Sequence, residues 1–271
     1  MATVSIVLPT FNRLRYLREA IASVQAQTFS DWELLVVDDG STDGTAGYVR
    51  ALRDPRIHLI LEPHRGSIAA ARNRGLLAAQ APWVGFLDSD DRWLSEKLAT
   101  QLAAVGRHEW CYSAYRMIDE EGRETRQRVG GPWRPYSGSV IRPLVTADAS
   151  IALPTVLVRR ELANRLRFDE RLPFAEDYEF LLRLANQAGA AVVDHVVAEF
   201  REHPGRTTRG RYETHVGKAM AYRKFARAAP AELAGRCRRL GYWHVIAALR
   251  LARRQGALTL SLRWLPRIWR M

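Results

Sequence analysis

The sequence predicts an α/β fold in which a central, mostly parallel sheet carries helices on both faces. Two observations predict it. Short, nearly continuous apolar runs alternate with segments of helical spacing through the first hundred residues, and each run is cut off by Pro, Gly or clustered Asp. Strands that are apolar throughout are buried on both sides, as in a parallel sheet between two helical layers.

The elements follow in order. Thr3 to Pro9 is a β-branched run closed by Pro, and Leu14, Leu17, Ile21 and Val24 then recur at helical spacing up to Gln27. Glu33 to Val37 is a second strand, stopped by Asp38-Asp39-Gly40-Ser41, with a helix from Thr45 to Arg53 ahead of Pro55. Asp43 or Thr42 is expected to cap that helix. Ile57 to Leu61 is a third strand, Ser67 caps an Ala-rich helix from Ile68 to Ala79, and Trp83 to Leu87 is a fourth strand. A helix from Ser95 to Val105, capped by Ser95, closes this half.

The alternation then breaks. Trp110 to Ile118 is a strand, Asp119 to Gly122 a turn and Gly130 to Gly138 a loop. Thr155 to Val158 resumes as a strand, Asp177 to Ala188 as a helix and Ala190 to Phe200 as a last strand. Beyond Pro204 an Arg-rich loop leads into helical segments. The expected organisation is a sheet domain over 1–206, whose half at 1–105 has about the size of a nucleotide-binding unit, with a second half at 106–206 and a basic amphipathic helical extension over 207–271.

Composition narrows the function classes. With 271 residues, 47% hydrophobic and 26% charged, the chain is long enough for a full core, and disorder, collagen-like repeats and a polytopic membrane protein are disfavoured. The net charge of +12 is unevenly placed: residues 201–271 carry 15 Arg and 2 Lys against Glu202, Glu213 and Glu232, while residues 1–200 are close to neutral. Cys111 and Cys237 lack metal-ligand spacing, which suits free thiols in a reducing compartment. No signal-peptide pattern opens the chain and no run reaches 18 uncharged apolar residues, so a cytoplasmic protein without a spanning helix is expected.

Five clusters could carry chemistry. Asp88-Ser89-Asp90-Asp91 follows the fourth strand, at the sheet edge where open α/β folds bind ligands. Crowded carboxylates there suit Mg²⁺ or Mn²⁺, which take one or two protein carboxylates plus substrate phosphates; a capping turn is the alternative. Asp38-Asp39-Gly40-Ser41 ends the second strand, where an Asp can accept from a base N–H or a ribose hydroxyl. Ala71-Arg72-Asn73-Arg74-Gly75 offers a guanidinium for a diphosphate, with one of Arg72 and Arg74 expected on a solvated face. Glu176-Asp177 opens a helix, so capping alone could explain both acids. His203, in Arg201-Glu202-His203-Pro204-Gly205, is either structural or a ligand. No phosphate loop and no Gly-x-Gly-x-x-Gly follows the first strand, which counts against nucleotide hydrolysis and hydride transfer.

In this order the motifs resemble the inverting family 2 glycosyltransferases of the GT-A (nucleotide-diphospho-sugar transferase) fold. The residues that carry the resemblance are Val4 to Asn12, Gln27-Thr28-Phe29, Trp32-Glu33-Leu34, Val37 to Asp43, Ala71 to Gly75, Asp88 to Asp91 and Glu176 to Glu179, within about residues 3–206. The resemblance implies a nucleotide-sugar pocket formed by Thr10, Phe11, Asn12, Asp39, Arg72, Asp88 and Ser89, with a UDP-sugar favoured. It implies a catalytic domain over 1–206 with a nucleotide-binding half at 1–105 and an acceptor-binding half at 106–206, Asp90 and His203 on Mn²⁺ or Mg²⁺, Asp177 as general base and Glu176 on the acceptor side. In the processive members Gln-x-x-Arg-Trp lies beside membrane spans, whereas Leu260 stands three before Arg263-Trp264 here, so single addition is expected.

The acceptor expected is a glycan or lipid-linked precursor. Trp243, Trp264 and Trp269 lie among Leu and Arg over residues 215–271, a pattern that binds anionic membrane surfaces or packs on the catalytic domain. No nucleic-acid motif accompanies the charge, and no nucleic acid is expected as a partner. The competing readings are a nucleotidyltransferase, which would normally show a Gly-rich basic loop where Pro9-Thr10-Phe11-Asn12 stands, and an inactive transferase-like scaffold.

Overall fold

The computed structural model describes residues 2–125, 133–205, 210–254 and 268. The sequence-predicted loop at 130–132, the segment Arg206-Thr207-Thr208, and Leu258, Leu260, Leu262, Trp264, Leu265 and Trp269 of the basic tail lie outside them.

Four strands form a parallel half-sheet. β1 (Val4–Thr10) lies between β2 (Trp32–Asp38) and β4 (Trp83–Phe86), and β3 (Ile57–Leu61) flanks β2. Alternate residues enter opposite cores: Val4, Ile6 and Leu8 of β1 pack with Leu34 and Val36 on one face, and Val7 packs with Leu35 on the other. Both faces are dry, which is why these runs carry no polar alternation.

Helix α1 (Leu14–Gln25) covers one face with Leu17, Ala20, Ile21 and Val24. Helix α2 (Thr45–Ala51) follows β2. Helix α3 (Ile68–Ala78), capped by Ser67, covers the other face with Ala69 and Leu76. Gly75 is needed for that approach, because a Cβ there would sit 2.4 Å from Val7 Cγ1. Asp43 serves two helices at once. Its carboxylate accepts from the Leu14 N–H at 2.9 Å, from the Thr45 hydroxyl at 2.6 Å and from the Thr45 N–H at 3.2 Å, and these bonds hold its pKa down against the effect of burial.

Beyond β4 the sheet becomes mixed. β5 (Arg92–Trp93), β6 (Trp110–Ile118), β7 (Glu124–Thr125), β8 (Leu157–Arg159) and β9 (Ala191–Arg201) complete nine described strands in the order β3-β2-β1-β4-β8-β6-β9-β5, with β7 paired to β6. β8 is antiparallel to β4 and β6, whereas β9 runs parallel to β6. The fold class is therefore as expected, an α/β sheet with a parallel first half.

Several boundaries differ from the sequence expectation. Helix α4 spans Lys97–Ala104, and Ser95 does not cap it. The expected strand at 155–158 is a 3₁₀ turn at Leu153–Thr155 followed by β8, because Pro154 lies in the turn. Two unpredicted short helices, α5 (Ile141–Thr146) and α6 (Arg160–Leu166), flank this region. Helix α7 (Glu176–Gln187) lies against α8 (Arg211–Phe225), which pairs with α9 (Ala231–Arg254). Tyr222, Phe225, Leu233 and Cys237 join the same core as Val7 and Phe180, so these C-terminal helices pack on the sheet domain. No described helix is long and apolar enough to cross a membrane.

Among the buried charged residues, Lys97 stands without a carboxylate partner among the described residues. Lys97 is fully buried, its Nζ donates to Gln101 Oε1 and lies 4.2 Å from the centroid of the Trp93 ring, and burial pushes its pKa down to about 7. Between about pH 7 and the ordinary lysine value the unfolded chain still holds this proton and the folded chain does not, so stability rises with pH across that window. Lys97→Met is expected to stabilise the protein below pH 7 and to flatten the rise, read by urea denaturation at pH 6 and pH 9. An unchanged pH dependence would show that Lys97 stays ionised in the fold.

Candidate active site

The carboxyl ends of β1, β2 and β4 meet at one edge, since Thr10 is in register with Asp38, and Val7 with Phe86. A cavity of about 460 Å³ opens there, bounded by Thr10, Phe11, Asp39, Arg72, Asp88, Ser89, Asp90, Glu176 and Asp177 among others. Nearly all the sequence-predicted site residues are thus brought together.

At the first end, Asp39 accepts from the backbone N–H groups of Arg65 at 2.8 Å and Gly66 at 2.9 Å. A carboxylate has about four acceptor sites, so capacity remains for a ligand N–H or O–H. Gly40, at φ +79°, lets the loop after β3 come this close: a Cβ would meet His64 N at 3.0 Å. The His64 ring in turn stacks on Phe11 with centroids 4.0 Å apart, giving a flat aromatic surface at the cavity wall. His64 is a cavity residue that the sequence did not single out. Asn12 is outside this lining; its side-chain oxygen accepts from Thr42 N at 2.8 Å and holds the Asp-rich loop in shape.

Arg72 stands at the centre, 2% exposed. It donates to Asp88 Oδ1 and to Glu176 Oε1, each at 2.6 Å, and so ties the end of β4 to the first turn of α7. Arg74 is the solvated member of the pair, bonded to Glu62 at 2.6 Å. Burial pushes Asp88 up, opposed by Arg72, and burial with the Asp177 charge pushes Glu176 up to about 7. Asp88, Glu176 and Asp177 raise Arg72 despite its burial. Two buried polar atoms of the lining residues, Thr10 Oγ1 and Arg72 Nε, have no hydrogen-bond partner among the described residues.

Asp90 and His203 form the far corner, with His203 Nε2 2.9 Å from Asp90 Oδ2 and the His203 side chain 3% exposed. Arg13, unanticipated from the sequence, reaches this imidazole at 3.3 Å and donates to the Gly205 carbonyl. Arg201, wholly buried, donates to the Asp90 carbonyl at 2.9 Å and to the Glu120 carbonyl at 2.9 Å, fixing the acidic loop to the end of β9. No group of three or more His, Cys, Asp or Glu side chains suited to a metal occurs among the described residues.

A second cavity of about 1330 Å³ adjoins the first and shares Asp88, Phe174, Ala175 and Asp177 with it. Its other walls come from the β6–β7 turn, from residues 144–154 and from α8. Asp177 accepts from the N–H of Tyr178 at 2.7 Å and borders both spaces. Just before it, Ala175 holds a left-handed φ of +55°, and Gly217 of α8 packs so closely that a Cβ there would come within 2.8 Å of Phe174 and Ala175.

The family model described as Glycosyl transferase family 2 matches residues 5–166. An uncharacterized glycosyltransferase of Rickettsia felis is 31% identical over 208 residues, 76% of this chain and 34% of that protein, so the chain spans about a third of such relatives. The UDP-Glc:α-D-GlcNAc-diphosphoundecaprenol β-1,3-glucosyltransferase WfgD of Escherichia coli is 37% identical over 184 residues, 67% of this chain and 68% of its own length. Among solved structures, S. aureus TarS 1–349 in complex with UDP-GlcNAc aligns with TM-score 0.68 at 23% identity, covering 87% of this chain and 69% of that one. The mannosyltransferase PcManGT from Pyrobaculum calidifontis, in complex with GDP-Man and Mn²⁺, aligns with TM-score 0.67 at 20% identity, covering 98% and 82%. These structural likenesses identify the GT-A fold.

Removing Arg72 would leave two carboxylates buried without their cation. Arg72→Met is expected to cost about 3 to 5 kcal/mol in urea denaturation, and adding Glu176→Gln is expected to recover part of it. A loss under about 1 kcal/mol would mean that Arg72 is not what joins β4 to α7.

Proposed function

The chain belongs to glycosyl transferase family 2, and from that premise we propose that it is an inverting glycosyltransferase moving one sugar from a nucleotide-sugar to an acceptor hydroxyl during cell-envelope polysaccharide synthesis. The observation that carries the reading is the position of Asp177 on the boundary between a nucleotide-sized cavity and a second, larger one.

In this reading Phe11, stacked on His64, faces the base, Asp39 accepts from base or ribose, and Thr10 Oγ1 supplies a further polar contact. A UDP-sugar is the donor favoured. Asp88 and Ser89 face the ribose and sugar, and Arg72 sets Asp88 in place while its free Nε–H points to the diphosphate as a partner. Glu176 stays on the acceptor side as a positioning residue through Arg72. The acceptor hydroxyl gives its proton to the Asp177 carboxylate as its oxygen bonds to the anomeric carbon from the second cavity. The bond from that carbon to the diphosphate oxygen breaks on the opposite face, so the configuration inverts.

The donor set fits a divalent ion. The residues around the first cavity include Asp39, Asp88, Asp90, Glu176 and Asp177 against Arg13 and Arg72, an acidic surplus that repels a bare diphosphate. Asp90 Oδ2 and His203 Nε2 would hold Mn²⁺ or Mg²⁺, the remaining positions falling to diphosphate and water. When bound, the ion supplies Lewis acidity to the leaving diphosphate.

A glycan or lipid-linked acceptor suits the C-terminal helices. Tyr242 and Trp243 are each 56% exposed on α9 among the exposed Arg236, Arg238, Arg239, Arg250, Arg253 and Arg254, a surface suited to the anionic inner face of a membrane. Flotation with anionic but not neutral liposomes, lost in Tyr242→Ser/Trp243→Ser, is expected. No flotation of the full chain would remove the membrane part of the reading.

Melting temperatures with UDP, GDP, dTDP and CDP test the donor site. A rise with UDP and Mn²⁺ is expected, abolished by EDTA and by Asp90→Ala. Asp177→Asn is expected to keep that rise and lose transfer by about 10² to 10⁴-fold. Full transfer by Asp177→Asn would overturn the base assignment, and no shift with any nucleotide would favour a scaffold.

A further inference from the structure

The wall that α8 presents to the second cavity is cationic. Arg211, His215, Lys218 and Tyr222 border the cavity at spacings of three and four residues, which is one face of the helix. Neither Arg211 nor Lys218 makes a hydrogen bond or ion pair with a described side chain. The contrast with Lys224 on the same helix is informative, because Lys224 bonds Asp169 and Glu179 at 2.7 Å each. Lys218 lies instead 5.3 Å from the centroid of the Tyr178 ring, one residue from Asp177.

Lys218 is mostly withdrawn from water. Burial pushes its pKa down and Asp177 pulls it back up; burial, Lys218 and Arg211 together push His215 down. The His215 ring is fixed by a 2.7 Å contact between its Nδ1 and that of His244. On the facing wall Asp119 and Glu121 are both engaged by Arg123 at 2.8 Å, which leaves Glu120 and Glu202 as the further carboxylates of that side. A half-buried ammonium and a guanidinium about two helical turns apart, neither hydrogen-bonded to nor ion-paired with a carboxylate among the described residues, form a fork suited to a phosphate ester: the guanidinium binds oxygens in pairs and the ammonium acts as a point charge.

We propose that Arg211 and Lys218 form an oxyanion site for the acceptor, which enters the second cavity with a phosphate or diphosphate against α8 and its attacking hydroxyl at Asp177. The proposal rests on the reading of Asp177 as the base, and it deepens that reading by assigning the acceptor a phosphoryl group and the residues that hold it. Specificity for a phosphorylated acceptor would then come from a helix beyond the stretch matched by the family model.

Calorimetric titration of the full chain with inorganic pyrophosphate in excess EDTA isolates this site, because a metal-dependent donor site is silent without its ion. Saturable binding is expected, weakened at least tenfold in Lys218→Met and in Arg211→Met with unchanged melting temperatures, and retained in Arg13→Met, which alters the first cavity. Should Lys218→Met fold poorly, the exposed Arg211→Met decides alone. No binding by the wild-type chain, equal binding by both α8 variants, or loss in Arg13→Met alone would each overturn the proposal. Sodium glucuronate is the second probe: tighter binding than pyrophosphate, lost in the same variants, would transfer the site to acidic sugars and overturn the phosphoryl assignment. Nucleotide melting shifts are read separately, so a failed donor site and a failed oxyanion site give different results.

Discussion

The candidate site depends on one buried guanidinium. Arg72 is 2% exposed and is the shared cation of Asp88 and Glu176, which come from elements 88 residues apart in the chain. Buried ions are costly unless matched in charge and hydrogen bonding, so this triad holds only in one relative placement of α3, the end of β4 and the start of α7. That placement sets Asp88 at the carboxyl edge of the parallel strands and leaves Asp177, one residue beyond the tethered Glu176, between the two cavities. Burial there, with the charge of the nearby Asp177, raises the Glu176 pKa against the pull of Arg72.

The C-terminal helices take part in this arrangement. The Tyr222 hydroxyl lies 2.8 Å from that of Tyr178, and Lys224 bridges Asp169 to Glu179, so α8 is fastened along α7 over its first turn. Part of the cationic excess of residues 201–271 is therefore spent internally, on Glu19 by Arg201 and on Asp169 and Glu179 by Lys224. Among the described residues, Arg211 and Lys218 line the second cavity, and Arg236, Arg238, Arg239, Arg250, Arg253 and Arg254 are exposed on α9.

What was legible in the sequence was local or periodic. Dry strands read as apolar runs, α1 as a stripe of Leu17, Ile21 and Val24, and the edge acids as Asp clusters ending those runs. Short elements fixed by distant partners were illegible: β5 is only Arg92 and Trp93, and it exists because Glu199 and Ala198 of β9 pair with it. Arg13 and His64 carry no local signal, since one meets His203 from 190 residues away and the other is drawn to Asp39 across a loop. Asn12 lies within a recognisable motif, yet its side chain turns to Thr42, a choice that only the folded loop reveals.

The position of Asp177 has its own local cost and its own support. Ala175 takes a left-handed φ that a non-glycine residue adopts at a penalty of about 1 kcal/mol or more, and this bend starts α7 abruptly so that its first turn points at the cavity edge. Gly217 allows α8 to lie directly on Phe174 and Ala175, closing off the space into which the bend could relax. Arg72 then holds Glu176 from the other side. The helix start carrying Asp177 is thus gripped between a buried ion pair and a close-packed glycine, and the strain at Ala175 is located where a side chain must be presented to two neighbouring spaces at once.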